Sequence, residues 1–83
     1  MKIIYFRLSQ VSKEYFLDQG VKGKDREIFG RDHLEAISKL RKILNFKRNT
    51  ELYVGRKIPE ELLGKIKAFC KDTKVIVKLE EDL

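Results

Sequence analysis

Apolar and polar side chains alternate over residues 2–8, with Ile4, Phe6 and Leu8 on one side and Ile3, Tyr5 and Arg7 on the other. A period of two with β-branched and aromatic residues predicts a strand with one buried face. Residues 9–13 are polar enough to turn the chain, and residues 14–18 and 26–29 then read as two further strands joined by the loop 19–25, whose Gly20 and Gly23 tolerate positive φ. The same stretch supports a competing element, a short helix over residues 11–19 that stops at Gly20, because glycine just past a helix end is a common cap. The hairpin is the preferred reading.

From Asp32 the period changes. Asp32 followed by Glu35 has the form of a capping box, and Ala36, Ile37, Leu40, Ile43 and Leu44 fall on one stripe at 100° per residue. This predicts a helix over about residues 32–46 with a mostly basic outer side. A second helix is expected over residues 59–71. Pro59 suits a first helical position, Glu60 and Glu61 complement the positive end of the dipole, and Leu62, Leu63, Ile66, Phe69 and Cys70 make the apolar stripe. Short strands at residues 50–55 and 74–79 flank it, and a strand, helix, strand unit normally pairs its strands in parallel. Two helices with one apolar stripe each fit a single sheet face. The expected fold is therefore α+β, a two-layer domain over residues 1–83. It has a mixed sheet of four to five strands and two amphipathic helices on one face, in the order β-β-β-α-β-α-β. The order β-α-β-α-β-α-β is the alternative.

Composition narrows the function classes. A chain of 83 residues and 9.8 kDa has about 9,000 Å² to bury, enough for one modest core and too little for a multidomain enzyme. No apolar run approaches the roughly 20 residues of a membrane helix, and no signal-peptide pattern opens the chain, so a cytoplasmic protein without membrane contact is expected. One cysteine, Cys70, and one histidine, His33, are too few soft ligands for a structural zinc site, and no cofactor is expected. Cys70 lies on an apolar helix face and reads as core. His33 borders the apolar stripe of the first helix and reads as a partly buried residue packed on the sheet, in preference to a general base.

Nineteen Lys and Arg against thirteen Asp and Glu give a net charge of +6, and three of the acids, Glu80, Glu81 and Asp82, sit in a short tail. Such a body attracts polyanions, of which nucleic acid is the commonest intracellular one, although abundant Lys and Glu also simply solvate a small domain. If both helices cover one face, the pleat turns Ile3, Tyr5, Arg7, Glu51, Tyr53, Ile76 and Lys78 to the other. Tyrosines that stack bases beside cations that neutralise phosphates are the means by which open sheets bind single-stranded RNA or DNA. The segment Leu52-Tyr53-Val54-Gly55, with Ile58-Pro59-Glu60-Glu61-Leu62 after it, resembles the first aromatic motif of RNA recognition motif domains. That likeness covers only these positions, and the family's second aromatic and glycine motif is absent.

Lys22, Lys24 and Arg26 form a second basic cluster around the glycine loop, without the spacing of a nucleotide-hydrolysing loop. Lys47, Arg48, Arg56 and Lys57 bracket the strand at residues 50–55 and extend a basic rim, or alternatively are solvated loop ends. The sequence thus suggests a non-enzymatic nucleic-acid-binding domain that uses Tyr5, Arg7, Lys22, Lys24, Arg26, Tyr53, Arg56, Lys57 and Lys78. The alternative is a protein-interaction or inhibitor module, or a homodimer, that uses Ile3, Tyr5, Tyr53 and Ile76 as an apolar centre and docks on an acidic partner.

Overall fold

Seven elements succeed one another in the preferred order: β1 (Lys2–Leu8), β2 (Tyr15–Gln19), β3 (Asp25–Gly30), α1 (His33–Leu44), β4 (Thr50–Val54), α2 (Glu60–Cys70) and β5 (Val75–Leu79). The computed structural model describes residues 2–19, 25–44 and 49–80. The hairpin prevails over the helix at residues 11–19 because Tyr15 and Leu17 are buried on one side of β2 while Phe16 turns to the other, a period that a helix would scramble.

The strands form one sheet in the order β3-β2-β1-β4-β5. β1 pairs antiparallel with β2, and β2 with β3; β4 is parallel to both β1 and β5. Gly30, at φ 89, turns the chain out of β3 in a conformation that a Cβ would disfavour. Two residues later Asp32 caps α1, its Oδ1 accepting the Leu34 N–H at 2.9 Å, while Glu35 pairs with Lys39 one turn on.

α1 packs over β2, β3 and α2, and α2 packs over β5. Between the layers Ile4, Phe6, Leu17, Phe29, Leu52 and Val54 from the sheet meet Ala36, Leu40, Leu44, Leu62 and Ile66 from the helices, all of them buried. Ile37 and Phe69, expected in the same contact, are partly buried against this core. No helix among the described residues is long and apolar enough to cross a membrane.

Two expectations need correction. Pro59 is the N-cap of α2, with an extended ψ of 145, and the helix starts at Glu60; a fixed φ near −65° suits either position, so sequence did not decide between them. The last two residues of the expected first helix, 45 and 46, lie outside the described residues. His33 is exposed, as are Leu34 and Glu35 beside it. Helical azimuth put His33 at the apolar stripe, but the stripe is covered only from Ala36 onward, so the first turn of α1 contributes nothing to the core.

Cys70 is core, as its position on the apolar face of α2 implies. Burial pushes its thiol up to about 11. At pH 8 the native protein should therefore resist a thiol-modifying reagent that labels it fully in denaturant, and labelling at equal rates in both states would place Cys70 at the surface.

Candidate functional site on the open face of the sheet

With both helices on one side, the pleat delivers every second strand residue to the opposite face. The strand registers then align Arg26, Asp18, Tyr5, Tyr53 and Lys78 in one row across all five strands. Tyr5 and Tyr53 are direct neighbours because β1 and β4 are parallel. Their rings stack with centroids 5.3 Å apart and planes inclined by 24°. Each ring also has a cation against it: Arg7 Cζ lies 4.5 Å from the Tyr5 centroid and Lys78 Nζ lies 5.8 Å from that of Tyr53. Arg26 stands in the same way over Phe16, at 4.4 Å.

These three cations are all matched by carboxylates. Asp18, only 2% exposed, accepts hydrogen bonds from Arg7 Nη1 at 3.0 Å and from Arg26 Nε at 2.8 Å. Arg7 reaches in the other direction to Glu80, which its Nε and Nη2 engage together. That span is open because Gly55, the residue after β4, lies between them. A Cβ on Gly55 would lie 3.2 Å from Arg7 Cγ, a contact so tight that the Arg7 stem would have to shift to accept it. Hydrogen bonding to Glu80 raises the Arg7 pKa further above its ordinary value. Lys78 Nζ donates to Glu51 Oε1 at 3.0 Å, and the Tyr53 hydroxyl donates to Glu51 Oε2 at 3.2 Å. The face is therefore electrically balanced, with Arg7, Arg26 and Lys78 facing Asp18, Glu51 and Glu80.

The Lys78 hydrogen bond holds the Glu51 carboxyl below its ordinary range. A depressed carboxylate contributes stability that is complete above its unfolded-state pKa and is lost as pH falls through the folded value. A carbon-detected NMR titration should thus find the Glu51 midpoint below that of a free glutamate, and Lys78→Met should move it upward. An unmoved midpoint would mean that the pair does not form in solution.

Apolar surface lies between these pairs. Ile3 is 42% exposed, Ile28 50% and Ile76 50%, and all three turn toward the open side by the same alternation that places Tyr5 and Lys78 there. The unbalanced charge lies on the other layer. Residues 31–44 and 56–74 together carry ten Lys and Arg against five Asp and Glu.

Of the residues singled out from sequence, Tyr5, Arg7, Arg26, Tyr53 and Lys78 come together on this face. Arg26 belongs to the strand face and to Asp18, not to the tip of the loop. Lys22, Lys24, Lys47 and Arg48 lie outside the described residues. Arg56 and Lys57 are exposed in the turn between β4 and α2. Asp18, Phe16, Ile28 and Glu80 were missed. Asp18 carried a signal, an acid directly after the apolar run Tyr15-Phe16-Leu17, but its partners depend on which strands flank it.

No protein-family model, curated protein or solved structure matches the chain significantly.

Proposed function

We propose that the open sheet face is a protein-docking surface and that the chain is a non-catalytic interaction module. The observation that carries this reading is the combination of three half-exposed isoleucines with cations that already hold carboxylates within hydrogen-bonding distance. A phosphate arriving at Arg7, Arg26 or Lys78 has to compete with those carboxylates. A base arriving at Tyr5 or Tyr53 has to compete with the other ring and with a cation. A partner's apolar side chains meet no such competition, and they gain about 25 cal/mol for each Å² of apolar surface removed from water. Balanced charge on this face favours a partner surface of mixed polarity over the strongly acidic one that net charge alone suggests.

Five strands about 4.8 Å apart and about 17 Å long offer on the order of 400 Å², the size of a transient contact. The test compares partners retained by the immobilised chain after nuclease treatment and a high-salt wash. Ile3→Lys and Ile28→Lys should lose proteins that the wild type and a Lys39→Glu/Lys42→Glu control both keep. Identical retention by all forms, or loss of everything on nuclease treatment, would defeat the reading.

The helical layer favours a second, weaker reading. Its excess of ten basic over five acidic residues suits non-specific attraction to phosphate backbones. Binding of this kind falls steeply with salt and does not distinguish single strands from duplex.

A further inference from the structure

The sheet has two edges, and they differ in chemistry. β3 reads Asp25-Arg26-Glu27 at its start and ends in glycine, the charged composition that blunts an edge against pairing. β5 reads Val75-Ile76-Val77-Lys78-Leu79, a strongly β-prone run, and among the described residues only β4 pairs with it. The Glu80 N–H donates to Val54 O at 2.9 Å, so the even-numbered residues of this segment direct their main-chain groups to β4. The odd-numbered ones direct theirs outward. Val75 N–H finds the Thr73 hydroxyl at 3.2 Å; Val77 and Leu79 offer their N–H groups to the open side. Leu79 is 56% exposed on the helix-side surface of the same edge.

We infer that this edge pairs antiparallel with β5 of a second copy, about a two-fold axis through Val77. The sequence is self-complementary in that register. Val77 meets Val77, Val75 meets the partner's Leu79, and Ile76 meets the aliphatic stem of the partner's Lys78. Lys74 meets the partner's Glu80, so opposite charges stand across the seam twice, once on each side of the axis. The two Val77 residues exchange N–H···O bonds, and each Leu79 N–H reaches the partner's Val75 carbonyl, while Val75 keeps its hydroxyl acceptor. The axis is perpendicular to the sheet, so both copies keep their helices on the same side and the open faces join. The assembly closes at two because pairing uses both β5 edges and leaves only the charged β3 edges. This inference does not depend on what the open face binds, although a joined face would double its area to about the standard interface size.

Sedimentation equilibrium of the full chain tests it, with two charge reversals. The wild type should associate weakly, with a dissociation constant on the order of micromolar to millimolar for so small a seam. Lys74→Glu alone and Glu80→Lys alone each put like charges opposite one another at both ends, and each should weaken association by about tenfold or more. An equimolar mixture of the two should recover it, because every cross-seam pair in the mixed dimer is again of opposite sign. Since Glu80 also holds Arg7, amide exchange on the unmodified chain gives a second reading, in which Val77 and Leu79 should become more protected as concentration rises. A wild type that stays monomeric up to about 1 mM, or Val77 and Leu79 amides whose protection ignores concentration, would overturn the inference. So would single variants that associate as the wild type does.

Discussion

Truncating Leu40 or Ile66 to alanine should lower the free energy of unfolding by about 2–5 kcal/mol, a large fraction of the roughly 5–15 kcal/mol of a small domain. Both side chains are wholly buried, Leu40 where α1 faces the sheet and Ile66 at the centre of the α2 stripe. Removing either leaves a void between two layers that close-pack over a single core, and a core of this size has little neighbouring material to collapse into it. Leu34→Ala supplies the contrast. Leu34 is 59% exposed on the overhanging first turn of α1, and its truncation should stay within about 0.5 kcal/mol. Urea denaturation of the three variants reads the difference, and a cost below about 1 kcal/mol at Leu40 would place that site at the periphery of the core.

Asp18→Ala should be the most damaging change on the open face, costing about 1–3 kcal/mol. The carboxylate is nearly inaccessible and serves two guanidinium groups, so its removal loses charge-assisted bonds on both sides and leaves Arg7 and Arg26 facing each other. Two circumstances keep the cost below the 3–5 kcal/mol of a fully buried broken pair. Arg7 retains Glu80, and Arg26, half exposed, rehydrates. Arg26→Ala should cost under about 1 kcal/mol, because Asp18 keeps Arg7 and the Arg26 side of the lost pair is half exposed. In a double-mutant cycle the Arg26→Ala effect should largely vanish in the Asp18→Ala background. Equal costs for the two single changes would mean that Asp18 does not anchor the network.

The elements were legible because each announces its own period. Residues 2–8 alternate, residues 36–44 repeat every three to four, and Asp32 and Gly30 punctuate the passage between them. The site was legible only as far as parity carries, since knowing that helices cover one face is enough to turn Tyr5, Arg7, Tyr53 and Lys78 to the other. Partnership is a different kind of information. Tyr5 meets Tyr53 because β1 lies beside β4 in parallel register, and Asp18 lies between Arg7 and Arg26 because β2 lies between β1 and β3. Neither adjacency is written in local pattern. Net charge hides the same information, since it counts Arg7, Arg26 and Lys78 without the acid that the fold brings to each. His33 shows the limit of azimuth, which fixes direction around a helix axis but not where along the axis the sheet ends.

The paired tyrosines and matched cations are proposed to serve a protein surface and not a base-stacking platform. The direct measurement is an anisotropy titration of a labelled single-stranded oligonucleotide against the wild type and the Tyr5→Ala/Tyr53→Ala variant over a range of salt. Stacking contributes roughly 1–3 kcal/mol per base and releases no counterions, so its loss shows as weaker affinity at constant salt slope. The two proteins should bind alike in both affinity and slope. A variant that loses tenfold or more in affinity at an unchanged slope would contradict it.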